Sequence, residues 1–142
     1  MRVGFRRFAA GLTLVELTIA IGIVALAILA LVLLFSRGIV LMRQADDVGR
    51  ATEVARRLME SIRQRGHPGV PATASVFDGS LPDAVDPSLD FPPAPYPRVN
   101  HGGSEYVIKV FCEPEGDILK YVRVEVWWDE NSKVAVETSL HP

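Results

Sequence analysis

Residues 11–35 read GLTLVELTIAIGIVALAILALVLLF, a run in which Glu16 is the single charged side chain. An apolar stretch of this length fits a bilayer-spanning helix, which needs about 20 residues. It exceeds the roughly 7–15 residue apolar core of a cleaved secretory signal. A carboxylate at membrane depth costs roughly 2.5 kcal/mol or more, so Glu16 reads as functional and in need of a partner. Immediately upstream lies a basic segment carrying Arg2, Arg6 and Arg7. The small residue Gly11 thus precedes the apolar run, whereas the cleavage site of a secretory signal follows it. Arg37, Arg43 and Arg50 balance the upstream arginines, so the loop-charge rule sets no orientation.

A basic leader, a glycine, an apolar residue and a lone glutamate inside the apolar helix occur here in that order. The arrangement resembles the processing site of type IV pilins and type II secretion pseudopilins. The resemblance implies cleavage by a prepilin peptidase between Gly11 and Leu12 on the cytoplasmic side, with methylation of the new amine of Leu12. It implies that Glu16 faces the N-terminal amine of a neighbouring subunit during assembly. Pairing of that kind removes most of the penalty of a charge in hydrocarbon. Leu12 departs from the family, whose first mature residue is most often Phe. The proline that many major pilins carry midway along this segment is also absent. Counting instead from Gly4-Phe5 places Ala9 where the acid belongs, which rejects that register.

The chain has 142 residues, so one anchor leaves about one small water-soluble domain. Formal charge is −2, and removing the three leader arginines leaves −5. That balance lacks the basic stripe of a nucleic-acid-binding surface, and no nucleic acid partner is expected. Cys112 is the only cysteine, which excludes the intrachain disulfide many pilins use to close a C-terminal loop. It reads as a buried small hydrophobe at the end of a strand, with no adjoining His or Lys to lower its pKa.

Beyond the anchor, Leu41, Ala45, Val48, Thr52, Ala55, Met59 and Ile62 recur at helical spacing. Gly66 and Pro68 form a stop signal. One helix is therefore expected from about Leu12 to about Arg65, roughly 80 Å at 1.5 Å per residue. Its membrane half covers 12–36 and its amphipathic half 37–65, after a leader over 1–11. Residues 66–104 hold most of the prolines and read as a loop. Ala74 to Phe77 is a candidate edge strand there, and FPPAPYP, residues 91–97, a stiff surface connector.

Residues 105–142 alternate as strands. Glu105 to Cys112, Ile118 to Trp128 and Lys133 to Leu140 are joined by short turn-forming segments, which makes an antiparallel meander. On the middle strand Val122, Val124, Val126 and Trp128 share the face assigned to the helix. Tyr121, Arg123, Glu125 and Trp127 share the other, taken as exposed. The fold class is α+β and pilin-like: a long N-terminal helix whose second half packs on a small antiparallel sheet.

The helix segment ATEVARRLMESIRQRG and the ending YVRVEVWWDENSKVAVETSLHP resemble minor components of the PilV or GspI type. The function so implied is that of a structural subunit of a type IV pilus or type II secretion pseudopilus, acting in filament initiation or a tip complex. Its partners are then prepilin peptidase, other minor subunits and the major subunit. The resemblance also implies that the chain resides in the inner membrane as a single-pass protein before assembly, with its C-terminal domain outside the cytoplasm. Glu16 argues against the extreme-tip pseudopilin, which typically lacks this acid. Trp127 is the candidate partner contact, as an outward aromatic of the kind that dominates interfaces.

No enzyme signature is visible, and no cofactor is expected. His67, His101 and His141 lack metal-ligand spacing. Glu113, Glu115 and Asp117 form a compact acidic cluster that reads as a solvated turn rather than a metal site. The competing reading is a bitopic membrane protein that presents its sheet domain as a binding module without assembling.

Overall fold

The computed structural model describes residues 13–81, 84–116 and 118–142. Gly11, Leu12 and Asp117 lie outside the described residues. Helix α1 runs Leu14–Arg65, and a short 3-10 helix follows at His67–Gly69. The strands are β1 (Ser75–Asp78), β2 (Arg98–His101), β3 (Ser104–Glu115), β4 (Leu119–Asp129) and β5 (Ser132–Leu140). This is an α+β layout of the pilin-like kind. The chain divides into two units, Met1–Met42 and Arg43–Pro142, with the division falling inside α1.

Within the first unit α1 is apolar on every side. From Leu14 to Met42 its large aliphatic side chains are all at least half exposed, from 51% at Leu17 to 81% at Leu14. The most apolar window has mean hydropathy 3.1 and nothing buried against it. This is a helix long and apolar enough to cross a membrane.

Within the second unit the sheet is antiparallel, in the order β1-β3-β4-β5, and β2 also pairs with β3. β3, β4 and β5 form the expected meander. β3 runs on through Pro114, three residues beyond the expected end at Cys112. Pairing with β1 stops at Cys112, so Pro114 lies where β3 has β4 alone as neighbour. A proline is tolerated at such an edge because no ladder hydrogen bond is lost there. Gly116, at φ 65°, then opens the connection to β4.

Residues 66–104 are not one loop. β1 and β2 follow one another along the same edge of β3, opposite Lys109 to Cys112 and Ser104 to Val107. β1 falls one residue later than the expected Ala74 to Phe77. Nor is FPPAPYP a surface connector: Phe91 is fully buried and meets Phe77 edge-on, with ring centroids 5.2 Å apart. The segment is fastened by side chains that reach main-chain oxygens. Arg65 Nη1 donates to the carbonyls of Leu89 and Asp90, at 3.1 and 2.6 Å. Arg98 donates to those of Gly79 and Ser80. Gly79 is required by a close backbone approach, since a Cβ there would overlap the carbonyl oxygens of Pro97 and Ile108.

The core lies between the inner face of the sheet and one side of α1. Helix residues Ala51, Val54, Ala55, Leu58, Met59 and Ile62 are buried against Tyr106, Ile108, Val110, Cys112, Val122, Val124 and Val126. The buried stripe is shifted from the expected one: Val48 is 44% exposed, and Leu41 and Ala45 are also exposed. A seven-residue repeat drifts around a 3.6-residue helix, so Leu58 and Val54 face the sheet where a strict repeat skips them. Leu58→Ala is expected to destabilise the fold by about 2–5 kcal/mol, as for other buried leucines. Val48→Ala should change stability by less than about 0.5 kcal/mol. Urea unfolding of the full chain in detergent measures both; equal losses would place the buried stripe elsewhere.

Candidate functional site

At the start of α1, Thr13 stands just before the first helical residue, and its Oγ1 accepts the Glu16 backbone N–H at 3.2 Å. Thr13 and Glu16 thus have the T-x-x-E spacing of a capping box, with its Thr half formed. Glu16 is exposed in the first turn, where the N-terminal end of the helix dipole favours an anion. Thr18 turns its hydroxyl back to the Val15 carbonyl at 2.8 Å. From Glu16 the next ionisable side chain along α1 is Arg37. Among the described residues the acid therefore stands alone on an unburied apolar surface.

A second constellation occupies the outer face of the sheet. Expected to be exposed, Glu125 is instead only 5% exposed. Its Oε1 accepts from Lys133 Nζ at 2.8 Å and its Oε2 from the Trp127 indole N–H at 3.1 Å. Lys133 Nζ lies 4.6 Å from the centre of the Trp127 ring, and Lys109 Nζ 5.8 Å. Lys109 in turn donates to Asp78 at 2.6 Å. One run of alternating charge thus crosses β1, β3, β4 and β5. Trp127 is half-buried within it rather than free-standing as expected. Two ammonium stems and a carboxylate cover the ring, which is how long charged side chains shield apolar surface. The neighbouring Trp128 packs against the core, as its strand parity with Val122, Val124 and Val126 expects, and the register with β5 shifts between Trp127 and Asp129.

The third constellation is one the sequence reading missed. Lys120 is 7% exposed, and its ammonium donates to the carbonyls of His67 and Val70 at 2.8 and 2.6 Å. It pins the turn that follows α1 onto β4. The signal was present: Lys120 shares strand parity with Val122, Val124 and Val126, so it had to point inward. Lys120 also lies near Cys112, contrary to the expectation that no Lys adjoins the thiol. Burial pushes the Cys112 thiol up to about 12, against a weaker opposing pull from Lys120. His67 Nε2 is buried in the same turn without a hydrogen-bond partner among the described residues. His101 ends β2 and His141 follows β5, so the three histidines are not brought together.

No protein-family model, curated protein or solved structure matches this chain.

Trp127→Ala removes an indole donor and two cation–ring contacts, and should lower unfolding free energy by about 1–2 kcal/mol. A variant as stable as the parent in urea would mean that the ring belongs to no such layer. For Cys112 the sign follows from its raised folded pKa. Folded protein keeps the thiol proton where the unfolded chain gives it up, so this contribution is whole below about pH 9 and lost as pH rises toward about 12. The parent should therefore lose more stability than Cys112→Ala between those limits, and parallel curves would show that the thiol titrates as in water.

Proposed function

We propose that this chain is a minor pilin or pseudopilin, a structural subunit of a type IV pilus or type II secretion pseudopilus that acts in filament initiation or a tip complex. The observation that carries the reading is Glu16: a lone carboxylate in the first turn of an unburied apolar helix, directly after Gly11-Leu12 and a basic leader. The amphipathic sequel of that helix, packed on an antiparallel sheet, supports it. In this reading prepilin peptidase cuts after Gly11 and Leu12 is methylated. The chain waits in the inner membrane with its sheet domain outside the cytoplasm. On assembly Glu16 meets the Leu12 amine of a neighbouring minor or major subunit. Burying that pair among helices satisfies both charges at once, which neither finds alone in lipid.

A second reading is a bitopic binding module that never assembles, in which the Glu16 carboxylate completes the capping box that Thr13 begins. There Glu16 serves its own helix start and needs no other subunit. One substitution separates the two. Glu16→Gln keeps a side chain suited to a capping box but has no charge to pair with an amine. Under the filament reading it should be membrane-inserted and cleaved after Gly11, yet largely missing from sheared filaments or the priming complex on immunoblots. Normal incorporation would assign Glu16 to the cap. Mass spectrometry of the mature N-terminus, with and without prepilin peptidase, tests the processing step. A mature chain that still begins at Met1 removes the filament reading altogether.

A further inference from the structure

The two edges of the sheet are built differently. One is split between β1 and β2, each four residues long, with the proline-rich segment between them. Short strands and prolines are what proteins use to blunt an edge against further pairing. The other edge is β5, nine residues long and paired with β4 alone. Its inward side chains Val134, Val136 and Thr138 are each only half-buried.

Beside that open edge a groove of about 390 Å³ lies between α1 and β5, with Met59 and Val136 among its lining residues. Arg56, Glu60 and Arg63 complete its walls. Arg63 turns Nε and Nη2 onto one neutral acceptor, Thr138 Oγ1, at 3.1 and 2.9 Å. Neither Arg56 nor Arg63 forms an ion pair among the described residues, while Arg50, Arg57, Arg65, Arg98 and Arg123 all do. Glu60 is the one acid in the groove, which leaves an excess of positive charge there.

We propose that β5 and this groove receive an extended acidic segment of another protein, added as a further strand beyond β5. Main-chain hydrogen bonds along β5 supply affinity for any extended chain, and side chains at alternate positions select among them. Here apolar side chains complete the cover over Val136 and Met59, and carboxylates meet Arg56 and Arg63. A second copy of this chain fits poorly, because its β5 presents Val134, Val136 and Thr138 on that side and no carboxylate. The inference rests on the sheet domain alone and does not require the filament reading.

The test uses the full chain in detergent micelles and a short fluorescein-labelled peptide in which every second residue is by turns valine and glutamate, with threonines between, so that both kinds fall on the face toward α1. Anisotropy should show binding that weakens as salt rises, and that is about tenfold weaker for the same peptide with lysine in place of glutamate or for the Arg56→Glu, Arg63→Glu double variant. Arg56→Glu alone disturbs no contact described above, so a partial loss there guards against misfolding of the double variant. Hydrogen exchange should slow along β5, not along β1 or β2. No binding, equal binding to the charge-reversed chain, or protection confined to β1 and β2 would overturn the proposal. So would β5 protection that grows with protein concentration without peptide, which assigns the edge to a second copy. Each result is independent of processing at Gly11, so it cannot be confused with failure of the filament reading.

Discussion

The contact between α1 and the sheet organises residues 43–142. Ala51 and Ala55 are small enough to bring the helix close, and Leu58, Met59 and Ile62 fill the space over the valine row of β4. All of these are fully or nearly fully buried. Hydrophobic burial of this kind has no direction of its own. Direction comes from polar fastenings at the two ends of the stripe. The Tyr106 hydroxyl donates to Asp47 at 3.1 Å near one end. At the other, Arg65 holds Leu89 and Asp90, and Lys120 holds the turn just after the helix. Removing the apolar stripe would leave those bonds without the packing that aligns them.

α1 itself meets two different surroundings along one continuous backbone. Before Met42 no side of the helix is buried, and after Ala51 one side is buried completely. A helix apolar all round requires a surrounding apolar phase, while a one-sided helix requires a flat apolar partner and water opposite. The same chain therefore states two solvents in succession. The assembly role proposed for it depends on moving the first half from lipid into a bundle of like helices.

Much of this layout was legible because it depends on local period. The apolar run, the amphipathic sequel and the alternation of β3, β4 and β5 each repeat often enough to be counted. β1 was found to within one residue, whereas β2 escaped because four residues are too few to show a period and long-range pairing with β3 creates it. Phe91 was unreadable as core for a similar reason, since its burial follows from Phe77 across the fold. Lys120 and Glu125 are different, for their strand parity was plain. Lys120 was passed over although its position pointed it inward, where it satisfies its ammonium on main-chain carbonyls, while Glu125 was placed on the outer face by position and is buried there by Lys133 and Trp127. Of the candidate site, Glu16 was legible as an isolated acid, whereas its hydrogen-bonded setting beside Thr13 was not.

The Thr13 contact bears on where α1 can begin. The first turn of any helix carries backbone N–H groups with no carbonyl behind them, and in hydrocarbon each bare donor costs several kcal/mol. Most spanning helices avoid this by starting among the headgroups, where water serves as acceptor. Here a threonine hydroxyl takes one of those donors from within the chain. The helix start is thus partly furnished for a dry environment. In a bilayer such a first turn would tolerate greater depth than an uncapped end.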